Sequence, residues 1–257
     1  MSLLPLEEFP KLSQYPIKLI ATDMDGTLTL QGKFTVSLLQ ALETLAQHSF
    51  DVIIVTGRSA GWVQSIKNYL PIKGAISENG GIYFPENQDT PEILTAIEDI
   101  TEHRQKLAQM FHTLKNQFPQ LKESADNQFR LTDWTFDVQG LSRADLQQLE
   151  KLCFEEGWGF TYSTVQCHIK PMQQDKASSL NQVLHQYFHS LTRDQIITVG
   201  DSPNDESLFN KNLFPLSVGV ANILHYQEQL QHLPVYVTQG AEIEGFYQLT
   251  EILINKK

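Results

Sequence analysis

Ile17-Lys18-Leu19-Ile20-Ala21-Thr22-Asp23-Met24-Asp25-Gly26-Thr27 runs an apolar strand straight into two carboxylates and a Gly-Thr turn. The six residues Ile17–Thr22 have the length and β-branched content of a buried strand. An extended chain would point Asp23 and Asp25 the same way, and Gly26 lets the backbone turn sharply around them. Two acids held that close are costly unless a cation neutralises them or one keeps its proton.

Outward from this stretch, short apolar runs alternate with helical patterns, the signature of a parallel sheet with crossover helices. The sequence predicts helices over 36–47 and 59–70 and strands over 51–56 and 74–77. The pattern then changes. A long helix is expected over 90–118, started by Thr90-Pro91, then one or two strands within 129–138. A helix over 142–156, capped by Ser142 and stopped by Gly157, and a hairpin over 160–169 follow. The α/β rhythm resumes with a helix over 175–188, a strand over 195–200 and a helix over 203–209. Strands over 214–220 and 235–238 and a helix over 244–253 close the chain. The expected fold is therefore α/β: a Rossmann-like parallel-sheet core formed by 1–83 and 171–257, interrupted by an α+β module at 84–170.

The 257 residues are enough for one large or two modest domains, and a hydrophobic content of 41% is that of a globular protein. A net charge of −11 with no basic run argues against a nucleic-acid partner. Cys153 and Cys167 lack C-x-x-C spacing, which points to a reducing compartment and a packing role. Pro5, Glu7 and Glu8 break the apolar residues of segment 1–16, which does not read as a signal peptide. No stretch approaches the roughly 18 apolar residues of a membrane span. A cytoplasmic protein without a membrane partner is expected.

Ligands of open α/β sheets bind at the carboxyl ends of the strands, and four groups fall there. Asp23 and Asp25 follow the first strand, and Thr56-Gly57-Arg58 follows the second. Gly200-Asp201-Ser202-Pro203-Asn204-Asp205 follows the strand over 195–200, and Lys176 opens the helix after the insertion. Converging carboxylates, a hydroxyl and a lysine suit phosphoryl transfer. A carboxylate can attack phosphorus, a carboxylate-held divalent cation offsets anion–anion repulsion, and lysine and hydroxyl orient the transferred oxygens. Each group alone has a plainer reading: a turn, a strand end, a solvated lysine, a helix cap.

Taken together and in order, D-M-D-G-T, V-T-G-R, D-K and G-D-S-P-N-D resemble the four motifs of the haloacid dehalogenase-like (HAD) hydrolases. I-S-E-N-G-G at 76–81, S-V-G-V-A-N at 217–222 and the late E-G-F resemble the members with a C2-type cap, which include Cof-type and sucrose-phosphate-phosphatase-like enzymes. The resemblance implies a Mg²⁺-dependent phosphatase acting on a small phosphate ester, foremost a sugar phosphate, through an aspartyl-phosphate. It implies Asp23 as nucleophile and metal ligand, and Asp25 as general acid/base whose carbonyl also binds metal. Thr56, Gly57, Lys176 and Asn204 would hold phosphate, Asp201 would bind metal directly, and Asp205 would support the metal's water shell. Arg58, Asn79, His168 and Lys170 are candidate substrate contacts. A phosphomutase of the same fold, a receiver-like signalling domain and a non-catalytic phosphate binder are the competing readings. His185 and His189, one helical turn apart, read as surface residues, and Trp134, Phe136 and Trp158 as core.

Overall fold

The computed structural model describes residues 3–9 and 15–255. Part of the segment read against a signal peptide, residues 1–2 and 10–14, lies outside them. The first half of the chain contains β1 (Leu4–Pro5), β2 (Leu19–Thr22), α1 (Val36–Gln47), β3 (Asp51–Val55), α2 (Ala60–Ile66) and β4 (Gly74–Ser77). Then come β5 (Ile82–Pro85), β6 (Glu92–Ile93), α3 (Ile100–Gln117), β7 (Trp134–Asp137), α4 (Arg143–Glu155), β8 (Trp158–Tyr162) and β9 (Gln166–Pro171). The chain closes with α5 (Lys176–Tyr187), β10 (Ile196–Gly200), β11 (Leu216–Gly219), β12 (Tyr236–Val237) and α6 (Glu242–Asn255).

Nine strands form one sheet in the order β1-β12-β11-β10-β2-β3-β4-β5-β6. Pairing is parallel from β1 to β4, and β5 and β6 add on antiparallel. The central strands are buried on both faces, which is why they read as unbroken apolar runs. Ile20, Val52 and Ile54 pack with α1, α2 and α6, while Leu19, Ala21, Ile53 and Val55 pack with Ala177, Leu180 and Val183 of α5. The inserted module has its own three-stranded antiparallel sheet, β7-β9-β8, and its own core of Leu107, Phe111, Leu114, Phe136, Leu149 and Ile169. Phe136 is fully buried there, and Trp134 and Trp158 pack against it, so these aromatics are core.

The long helix starts at Ile100, ten residues later than Thr90-Pro91 predicts. Glu92 and Ile93 instead pair with Tyr83 and Ile82 in the large sheet. Asp99 is the true cap, its carboxylate accepting from the Glu102 amide at 2.9 Å. The boundary drawn at residue 84 falls inside β5, the antiparallel strand that the sequence pattern left unassigned. Within 129–138 the sequence forms a single strand, and residues 203–209 form a 3-10 rather than an α-helix. No helix among the described residues is long and apolar enough to cross a membrane.

Candidate active site

Parallel register carries three adjacent strand ends to one place. Thr22 of β2 sits beside Val199 of β10 and Ile54 of β3, and the Asp23 amide donates to the Val199 carbonyl at 2.9 Å. The next residues along these strands are therefore Asp23, Gly200-Asp201 and Val55-Thr56. Carboxylate oxygens of Asp23, Asp201 and Asp205 lie within 4.8 Å of one another, and all three residues are buried. Asp175 caps α5 by accepting from the Ser178 amide at 2.9 Å, which makes Lys176 the first helical residue. Its side chain is completely buried, and its Nζ donates to both Asp23 Oδ1 and Asp205 Oδ1 at 2.6 Å.

One ammonium thus faces three carboxylates. Burial, partly countered by Lys176 and reinforced by the charge of Asp205, pushes the Asp23 carboxyl up to about 7. Asp201 is also raised, by burial first and then by the charges of Asp23 and Asp205. Burial pulls the Lys176 ammonium down, but Asp205 and Asp23 outweigh it and hold it above the ordinary lysine value. A pocket of hard oxygen donors with uncompensated negative charge fits a small divalent cation.

The triad is fixed from outside. Asp205 Oδ2 accepts from the amides of Asp201 (2.9 Å) and Ser202 (3.2 Å), closing the turn after β10. Asp201 accepts from Thr27 Oγ1 at 3.3 Å and from Asn222 Nδ2 at 2.8 Å, and Asn222 also donates to the Gly26 carbonyl at 3.0 Å. Gly26 has φ +82°, and a Cβ there would come 2.5 Å from Asp201 Oδ2, so both its conformation and its lack of a side chain are required.

Asp25 stands apart from the triad. Arg58 Nε and Nη2 donate to its two oxygens at 2.7 and 2.6 Å in a bidentate pair, whose side chains keep 31% (Arg58) and 16% (Asp25) of their exposure. The hydrogen bond to Asp25 raises the Arg58 guanidinium, against the opposing effect of burial. Thr56 is buried, and its hydroxyl accepts from the Arg58 amide at 3.1 Å. Asn204 is linked on both sides: Ser202 Oγ donates to its Oδ1 at 2.8 Å, and its Nδ2 donates to Asn79 Oδ1 at 3.0 Å.

The inserted module closes one side of this pocket. Asp23, Asp25, Thr56, Gly57, Arg58 and Asn204 line it together with Ser163, Val165, Gln166 and His168 from the β8–β9 hairpin. Lys170, also on β9, lines a neighbouring cavity of about 250 Å³ with Asn79 and Lys176. It is buried, and its Nζ donates to the Gln174 carbonyl. Each residue expected at the site therefore lies in the pocket or in this adjoining cavity, apart from Asp201 and Asp205, which sit in the buried triad beneath. His185 and His189 are exposed and line neither cavity.

Sequence reasoning missed a seam of buried charge between module and core. Glu78 Oε1 accepts from the Ala60 amide at 2.9 Å, and Oε2 accepts from the amide and hydroxyl of Thr132 at 2.6 and 2.7 Å. Arg130 is buried and donates to the Gly57 carbonyl at 2.9 Å, to Asp133 at 3.0 Å and to Asp126 at 2.8 Å. Asp133 in turn meets His168 Nδ1 at 2.8 Å. Asp126 and Asp133 flank Arg130 locally, but the reach of Arg130 to the Gly57 carbonyl spans 73 residues and has no local signal.

A family model described as sucrose-6F-phosphate phosphohydrolase matches residues 16–249, nearly the whole chain and every strand end described above. The chain belongs to that family. With it, the protein is a HAD-type phosphatase, and the large parallel sheet with an inserted C2-type cap is the HAD fold. It is 27% identical over 251 residues to a phosphoglycolate phosphatase from Staphylothermus marinus, covering 93% of this chain and 99% of that one. A HAD/COF-like hydrolase from Plasmodium vivax superposes with TM-score 0.74 at 20% identity, covering 96% and 98% of the two chains. The HAD subclass IIB sugar phosphatase BT4131 does so with TM-score 0.66 at 12% identity over 91% and 98%.

Proposed function

We propose that this phosphatase hydrolyses a small phosphorylated metabolite, foremost a sugar phosphate, through an aspartyl-phosphate on Asp23, with Mg²⁺ as the metal. The observation that carries the reading is the Asp23 carboxylate at the end of β2, gripped by Lys176 at 2.6 Å inside a buried triad of acids. Asp23, Asp201 and the Asp205-anchored turn would hold the cation, which when bound offsets the repulsion between carboxylate and phosphate.

An oxygen of Asp23 attacks phosphorus, and the bond to the leaving alcohol breaks. Asp25, once freed from Arg58 and protonated from solvent, gives that alcohol its proton, then removes one from the water that attacks the aspartyl-phosphate, releasing phosphate and restoring Asp23. Lys176, Thr56, the Gly57 amide and Asn204 hold the transferred oxygens through both steps. Asp25 must leave Arg58 to act, and an incoming phosphate is the natural competitor for that guanidinium. The division into a core (1–83 and 171–257) and a cap (84–170) belongs to this reading, with β5 and β6 joining the core sheet. The cap would exclude water and choose the leaving group. The two free buried cysteines support a cytoplasmic setting.

The test is phosphate release from an aryl phosphate and a panel of sugar phosphates, with Mg²⁺, with chelator, and with Asp23→Asn. Metal-dependent turnover that disappears in the mutant is expected; absence of turnover from folded, Mg²⁺-loaded protein would refute the reading. Phosphoglycolate is the second substrate candidate, because the similar archaeal proteins carry that name, and it belongs in the same panel.

A further inference from the structure

Two unused hydrogen-bonding atoms meet above Gly57, at the seam between cap and core. A Cβ placed on Gly57 would lie 3.2 Å from Asn79 Nδ2 and 3.2 Å from His168 Nε2, so both atoms lie close to Gly57 at the end of β3, His168 lining the pocket there and Asn79 the adjoining cavity. Asn79 is 1% exposed, and its Nδ2 is a buried donor with no partner. Its orientation is set, since Oδ1 accepts from Asn204, whose own Oδ1 is taken by Ser202. The backbone of Asn79 is held at φ +52°, a strained region that asparagine tolerates and that functional sites collect.

His168 supplies the opposite polarity. Its Nδ1 faces Asp133 Oδ2 at 2.8 Å, and that carboxylate also accepts from Arg130, which keeps it an acceptor. The proton on the ring therefore sits on Nδ1, and Nε2 presents a lone pair to the pocket. Asp133 favours a second proton on the ring, but burial first, with the charges of Arg130 and Lys176 behind it, outweighs that and holds the imidazole below its ordinary value. Among the described residues no group hydrogen-bonds Nε2.

A fixed donor beside a fixed acceptor is the complement of one hydroxyl group, which accepts from the first and donates to the second. We infer that Asn79 and His168 read a hydroxyl on the leaving group, next to the phosphoester, and so select polyol or sugar phosphates over esters whose neighbouring group is a carboxylate or a methyl. This deepens the phosphatase reading of the same pocket and rests on it. A carboxylate placed there would put its negative charge against a bare ring nitrogen, and a methyl would leave both polar atoms desolvated and unpaired.

Three esters isolate the effect, because they differ only at the far carbon: 2-hydroxyethyl phosphate, ethyl phosphate and phosphoglycolate. An aryl phosphate serves as the control for chemistry. In the wild-type enzyme with Mg²⁺, kcat/KM for the hydroxyethyl ester should exceed that for ethyl phosphate and for phosphoglycolate by about 10- to 100-fold. His168→Leu and Asn79→Asp should each bring the hydroxyethyl-to-ethyl ratio close to one, and His168→Gln, which still offers an acceptor, should restore part of it. A wild-type ratio near one with brisk aryl turnover overturns the assignment and leaves the pair as the seat of a water. A ratio retained in both variants also overturns it. Absence of aryl turnover in the wild type is a different result, since it removes the phosphatase reading itself. The wild-type ratio decides even if a variant misfolds.

Discussion

Replacing Lys176 by Met keeps the length and volume of the side chain but removes the one ammonium inside the acid triad. The lysine is completely buried and meets Asp23 and Asp205 at 2.6 Å each. Breaking a buried ion pair from one side leaves its partner uncompensated, and such changes cost about 3–5 kcal/mol. For a chain of this size that corresponds to a fall in Tm of roughly 6–20 °C in metal-free buffer. The cost must depend on pH. It arises from anionic carboxylates, and Asp23 is already pushed up to about 7, so protonation between pH 8 and 5.5 should shrink the defect. Mg²⁺ should shrink it too, because it supplies the missing positive charge. The assay is paired thermal melts of wild type and Lys176→Met at pH 8 and 5.5, with Mg²⁺ and with chelator. An unchanged Tm at pH 8 in chelator, or the same loss at both pH values, would refute the argument that Lys176 compensates buried charge.

Asp25→Asn should slow aspartyl-phosphate formation from alkyl phosphates far more than from aryl phosphates, since only the poor leaving group needs a proton; equal losses in the single-turnover phosphorylation rate would sink that role. Gly26→Ala should cost at least about 1 kcal/mol of stability for the left-handed backbone, and more because the methyl displaces Asp201. Isothermal titration should then show weakened Mg²⁺ binding. The buried seam should also make the protein acid-sensitive. The folded pKa of His168 is lowered by burial, so below about pH 6.5 the unfolded chain binds more protons and stability falls with pH. Burial raises the Asp133 carboxyl, but Arg130 and His168 outweigh it, so its contribution holds above its unfolded value and fades as pH falls through the still lower folded pKa. Urea melts from pH 7.5 to 5 should show a slope of up to about 1.4 kcal/mol per pH unit from His168, missing in His168→Gln.

The sequence displayed the core well because the core is built from local signals. Buried parallel strands announce themselves as apolar runs, and the chemistry hangs on the residues that directly follow them. Asp23, Thr56 and Asp201 could be placed for that reason alone. Where two local signals competed, tertiary pairing decided: Thr90-Pro91 is a reasonable helix start, yet Glu92 and Ile93 are taken by the edge of the sheet, and the helix waits for Asp99. The short strand over 82–85 follows two glycines and has no helix before it, so no period marks it. Glu78 and Asn222 fell inside the stretches 76–81 and 217–222, but their contacts could not be read, because Thr132 and Gly26 lie far away in the chain. Arg130 and Asp133 are neighbours, yet their contacts to Gly57 and His168 are not local. Asn222 reaches across 196 residues to the Gly26 carbonyl.

The two ends of the large sheet carry a consequence for how the protein behaves in a crowded solution. Its outermost strands, β1 and β6, are two residues each, and one of them includes Pro5, which lacks an amide hydrogen. Seven longer or better-covered strands lie between them, rich in the β-branched residues that stack readily from chain to chain. Unpaired strand edges are templates for addition of a foreign strand, and short or proline-bearing edges offer too few donors and acceptors in a row for that. The described sheet thus ends on both sides in strands that discourage growth, which lets an apolar nine-stranded layer stay a single molecule's property rather than the seed of an aggregate.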